Sequence, residues 1–113
     1  MREPEGANKE IRKYLKRPIF RIQGFCSSLD ANLLRSTIVY QSKNGISGSL
    51  VEIGVWHGKS FFILTKGRAA GEKCLGMDLF SIRPLRKGER QQIDEFRDNC
   101  VAHKIVLEPE EIL

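Results

Sequence analysis

Two short apolar runs flanking a helical stretch constrain this chain most. Ser49-Leu-Val-Glu-Ile-Gly-Val55 is rich in β-formers and turns at a glycine, and Lys73-Cys-Leu-Gly-Met-Asp78 is mostly apolar and closed by an acid. Between them, residues 58–70 carry Phe61, Phe62, Leu64 and Ala69 in a helical stretch. Beyond a loop holding Pro84 and Gly88, Glu89 to Ala102 places Ile93, Phe96, Cys100 and Val101 at i, i+3, i+7 and i+8, which predicts a helix. Lys104-Ile-Val-Leu107 reads as a third short strand. Apolar strands alternating with helices predict an α/β fold: a partial doubly wound, Rossmann-like parallel sheet of three strands, covered on both faces and joined by right-handed crossovers.

The N-terminal part has a different character. Residues 1–7 read as a frayed terminus, Asn8 to Leu15 as a short helix stopped by Pro18, and residues 19–29 as a connector. Asp30 is a good N-cap for a helix through Lys43, with Leu33, Leu34, Ile38 and Tyr40 as its apolar stripe. Asn44-Gly45 supplies residues that tolerate the left-handed conformation of a helix end. The chain thus divides into a basic extension and connector, 1–29, and the α/β part, 30–113.

Composition narrows the function classes. At 113 residues and 41% hydrophobic, the chain fits one globular domain, and no apolar run approaches the ~20 residues of a membrane span. Met1-Arg-Glu-Pro-Glu-Gly has no hydrophobic signal core. Three scattered cysteines, Cys26, Cys74 and Cys100, and two histidines suit neither a disulfide framework nor a metal site. They point to a reducing, intracellular, cytoplasmic setting. The net charge of +5 is uneven: residues 1–25 hold seven bases against three acids, and residues 91–113 two against six. The basic segments 9–21 and 83–90 raise nucleic acid as a partner. Bases mixed with acids and lacking interleaved aromatics disfavour it, and read instead as a solvated face.

In a parallel sheet, ligands bind beyond the carboxyl ends of the strands. Two of those ends carry the unusual residues, Val51-Glu-Ile-Gly-Val-Trp-His-Gly-Lys-Ser60 and Gly76-Met-Asp78. Gly54 permits a sharp turn after the first strand, and Gly58 permits close backbone approach to a ligand. The free N–H groups of the next helix favour an anion, with the Ser60 hydroxyl beside them. Asp78, 24 residues beyond Gly54, sits where an acid can accept hydrogen bonds from both ribose hydroxyls.

This pattern resembles motif I and the strand-two acid of class I S-adenosylmethionine-dependent methyltransferases. It is most similar to catechol- and macrocin-type O-methyltransferases and their cephalosporin-hydroxylase-like relatives. The resemblance covers roughly residues 30–110 and implies S-adenosyl-L-methionine as cofactor, with methyl transfer to an O- or N-acceptor. It implies that Glu52 holds the methionine part or orders the loop, Gly54 and Gly58 line its floor, Ser60 meets its carboxylate, and Asp78 binds the ribose. Trp56 stands where the subgroup often has an aromatic beside the cofactor. His57, mid-turn, reads as solvent-facing, and His103 as a residue near a helix C-terminus, where its cation is favoured.

Two rival motifs fail on spacing. Gly54-Val-Trp-His-Gly-Lys-Ser60 is one residue short of the phosphate-binding G-x-x-x-x-G-K-[ST], and Glu52 would face a polyphosphate. Trp56 occupies the second glycine of the dinucleotide fingerprint, where a pyrophosphate must approach. The resemblance also stops early. The family's fourth strand and its substrate-selecting half have no counterpart, so no catalytic base or metal ligand is nominated. The expectation is a cofactor-binding half, truncated or serving as a non-catalytic interaction protein. Its first strand would be an open edge available for homo- or hetero-oligomer formation.

Overall fold

In a computed structural model, which describes residues 4–80 and 84–113, the chain forms four helices and a two-stranded parallel sheet. Helix α1 spans Pro4–Lys16, α2 Ser28–Lys43, β1 Leu50–Ile53, α3 Phe61–Gly67, β2 Cys74–Met77 and α4 Gln92–Ala102. Short 3-10 turns occupy Pro18–Arg21 and Pro109–Glu111. The first three residues of the expected frayed terminus lie outside the described residues. Its remainder is helical, and Ala7 is buried.

Helix α1 forms because Ala7, Ile11 and Tyr14 recur at i, i+4 and i+7, giving one apolar stripe that packs against α2 and α3. Lys13 and Lys16 in its last turn suit the negative end of the helix dipole. The N-cap of α2 is Ser27 rather than Asp30. The Ser27 hydroxyl accepts from the Asp30 amide, and the Asp30 carboxylate accepts from the Ser27 amide, a reciprocal capping box with Asp30 three residues inside. The apolar stripe of α2 also shifts. Ala31 and Ile38 are buried, whereas Leu33 and Tyr40 are exposed. The helix ends as expected, with Gly45 at φ 67° and the Ile46 amide donating to the Gln41 carbonyl.

Helix α3 is short and buried nearly all round, through Phe61, Phe62, Ile63, Thr65 and Gly67. A side chain at Gly67 would meet Ile38 at 2.7 Å and Ile11 at 2.9 Å, so this glycine sets how closely α1 and α2 approach. Leu50, Glu52, Cys74 and Gly76 share one sheet face by register, the more buried one. The opposite face, with Val51, Ile53 and Met77, is open, and Ile53 is 81% exposed. The expectation of a sheet covered on both faces therefore does not hold among the described residues: both parities of the strands are apolar, but only one is packed.

The strand expected at Lys104–Leu107 is absent. After α4 the chain closes a Schellman turn: Lys104 is left-handed (φ 56°), its amide donates to the Val101 carbonyl, and the Ile105 amide donates to Cys100. Arg68 then takes the Val106 carbonyl. With these groups engaged, residues 105–108 form no strand among the described residues. Pairing beside β2 begins later, through a single parallel bridge between Gly76 and Ile112, with the Leu113 amide donating to the Gly76 carbonyl. Among the described residues no helix is long and apolar enough to cross a membrane.

Candidate functional site

Strands β1 and β2 are in parallel register, Leu50 opposite Cys74 and Ile53 opposite Met77, so their carboxyl ends lie side by side. The Gly54 amide extends the ladder to the Met77 carbonyl at 2.8 Å. Two residues on, the Trp56 amide donates to Asp78 Oδ2 at 2.7 Å, and the Phe80 amide donates to Asp78 Oδ1 at 2.8 Å. Asp78 thus ties the turn after β1 to the turn after β2. Each oxygen accepts one bond from the backbone, and a carboxylate offers about four acceptor sites, so capacity remains for hydroxyl donors.

The turn from Gly54 to Ser60 holds three left-handed residues, Gly54 (φ 88°), Trp56 (φ 49°) and Gly58 (φ 94°). The two glycines serve different ends. A Cβ on Gly54 would meet nothing within 4 Å, whereas one on Gly58 would meet two Phe62 ring atoms at 2.7 Å and Phe96 at 3.1 Å. Gly58 is therefore small for the aromatic core beneath the turn, a reason the sequence reading did not supply.

Glu52 lies on the inner face of β1 and is half-buried. Its Oε1 accepts from the Ser60 hydroxyl, while its Oε2 is buried without a partner. Burial raises its pKa, the Ser60 bond lowers it, and the Asp78 charge raises it again, leaving it above the ordinary glutamate value. The Ser60 hydroxyl is thus engaged with Glu52 rather than held ready for a ligand carboxylate. The amides of Phe62 and Ile63 are also used, by the Gly58 and Ser60 carbonyls, which leaves the earlier amides of the turn for any anion at the start of α3.

Trp56 stacks on His57 at 4.3 Å and lies parallel to Phe25 at 6.4 Å. Trp56 and His57 line a cleft of ≈ 500 Å³, shared with Arg21, Arg90, Glu95 and Asn99. Of the six residues singled out in the sequence, only Trp56 lines it. His57 is half-buried rather than solvent-facing, and burial, partly offset by Glu95, lowers its pKa. His103 does follow α4 as its C-cap. Burial and the nearby Lys66 and Arg21 nevertheless lower its pKa.

Two residues that the sequence reading passed over hold the turn in place. The Tyr14 hydroxyl, on α1, donates to the Lys59 carbonyl at 2.6 Å, and Asn99, on α4, donates to the His57 carbonyl at 3.0 Å. Burial first, then the neighbouring Cys26 and Glu52, push the Tyr14 pKa far up, so its phenol stays protonated as a fixed donor. The available signal was the position of Tyr14, one step along the Ala7–Ile11 stripe; for Asn99 none was visible. Among the described residues no group of three or more His, Cys, Asp and Glu side chains is placed to hold a metal. No protein-family model, curated protein or solved structure matches the chain.

Proposed function

We propose that the chain binds S-adenosyl-L-methionine at the edge formed by the Gly54–Ser60 turn and Asp78, as the cofactor half of a Rossmann-like methyltransferase acting on an O- or N-acceptor. The observation that carries this reading is the Trp56 amide to Asp78 bond, which puts the turn and the acid on one edge. Asp78 would take the ribose hydroxyls with its remaining acceptor capacity, and Trp56 would lie against the cofactor. Glu52 supports the same reading in an altered role. Its unpartnered Oε2 calls for a cationic donor such as the amino group of the methionine part, with Ser60 orienting the carboxylate. In methyl transfer the protein chiefly positions the sulfonium carbon in line with the acceptor.

The expected result is a saturable heat on calorimetric titration with S-adenosyl-L-methionine. Glu52→Gln should weaken it roughly tenfold, the scale of one charge-assisted bond. The pKa of Glu52 is raised, so its carboxylate fills only as pH rises through that value; affinity for a cationic ligand should tighten in the same direction. A titration without heat at any pH contradicts the reading.

The open β1 edge favours a second reading, a non-catalytic interaction protein. Val51 and Ile53 are 51% and 81% exposed beside a strand edge that is unpaired among the described residues. A chain silent to the cofactor yet assembled in light scattering would support that alternative.

A further inference from the structure

The groove between α1 and α2 belongs to neither the cofactor edge nor the cleft at Trp56. It encloses about 1090 Å³ and is lined by Lys9, Arg12, Lys13, Lys16 and Arg35, with no acidic residue among the described lining. Residues 9, 12, 13 and 16 fall at i, i+3, i+4 and i+7, so α1 presents them as one stripe opposite Ala7, Ile11 and Tyr14. The sequence intermixes these bases with acids, and the helix places Glu10 off this stripe. Glu10 lines other clefts, beside Lys66 and Lys104, and its contact with Lys13, 3.9 Å between exposed groups, neutralises little.

Across the groove, Arg35 is aimed rather than neutralised. Its Nε donates to Asn32 Oδ1 at 3.2 Å and its Nη1 to Asn8 Oδ1 at 3.0 Å, both uncharged acceptors. Two of its five N–H groups are used in these bonds, and the side chain lines the groove alongside the α1 cations.

From this arrangement we infer that the α1–α2 groove binds the phosphate backbone of a nucleic-acid duplex. Repeated cations, with no acid among the described lining, suit a repeated anion. No aromatic lines the groove, so it lacks the stacking platform that single strands need, and contact is with phosphates alone. An anionic membrane fits less well. The apolar face of α1 is spent in the core, so the helix that carries the cations has no apolar stripe of its own to insert between lipids.

Fluorescence anisotropy with a labelled RNA duplex, and a DNA duplex of the same sequence, tests this. The expected result is micromolar binding at about 50 mM salt, weakening with a log–log slope of about −4 for four to five phosphate contacts. The exposed pair Arg12→Gln/Lys16→Gln should keep the helical circular dichroism of the parent and flatten that slope by about 2. The control Arg86→Gln/Lys87→Gln, in the other basic segment, should leave binding within about twofold, since those residues lie outside the groove. Unequal affinity for the two duplexes would identify which is preferred within the same proposal. Absent duplex binding overturns it, as does an equal loss in the control pair. So does binding only to phosphatidylserine-containing vesicles.

Discussion

Glu111→Ala is expected to lower folding stability by about 3–5 kcal/mol, the cost of breaking a buried pair by removing one partner. The carboxylate is 1% exposed and joins three distant parts of the chain. Oε2 accepts from Arg68 Nη1 at 2.6 Å, at the end of α3, and from the Cys74 amide at 2.7 Å, at the start of β2. Oε1 accepts from the Glu108 amide at 2.9 Å and closes the turn that delivers Ile112 to β2. Alanine would leave the Cys74 amide buried without an acceptor. For a chain of this length, whose total stability is on the order of 5–15 kcal/mol, that is a large fraction.

The same group sets an acid limit. Burial by itself would raise the Glu111 pKa, but the Glu108 and Cys74 amides and the Arg68 guanidinium outweigh it and hold it below 4.5. The unfolded chain therefore takes up this proton first. The contribution is full above about pH 4.5 and is lost as pH falls through the lowered folded value. Urea melts across pH 3–7 check this: Glu111→Gln should be less stable than the parent near neutrality and should lose this part of the acid dependence.

Gly58→Ala is expected to cost about 2–5 kcal/mol, from two additive sources. Left-handed backbone costs a side-chain-bearing residue about 1–2 kcal/mol, and overpacking a core costs about 1–3 kcal/mol. The added carbon would stand 2.7 Å from Phe62 ring atoms, and Phe62 is fully buried against Phe96 and Tyr14. Gly54→Ala has the backbone cost alone, about 1–2 kcal/mol, because its side chain would point into open space. Denaturant midpoints of the two variants, compared at equal slope, separate packing from conformation. Equal losses would show that Gly58 is needed only for its turn.

Strands β1 and β2, their intervening helix and the C-terminal end of α2 were legible because each rests on local signals: β-formers ended by glycine, a helical apolar pattern, Asn44-Gly45. What local pattern cannot carry was missed. Lys104–Leu107 has the composition of a strand, but the Schellman turn at Lys104 and the Arg68 bond to Val106 depend on tertiary neighbours. The Arg68–Glu111 pair spans 43 residues, and nothing near either one announces the other. The site divides in the same way. Asp78 and the turn were readable as neighbours from strand–helix–strand order. That Ser60 turns to Glu52, and that Gly58 serves Phe62, follows from packing beneath the turn. Likewise, the bases among the mixed charges of residues 9–16 line one groove only once α1 assigns each residue a face.

The central claim is that one edge, built from Gly54–Ser60 and Asp78, receives an adenosyl ligand. Amide chemical-shift mapping of the full chain with S-adenosylhomocysteine tests it most directly. The account predicts saturable shifts concentrated at Gly54, Trp56, Gly58 and Asp78, with the α1–α2 groove unmoved. Shifts confined to α1 and α2, or none at saturating ligand, would contradict it.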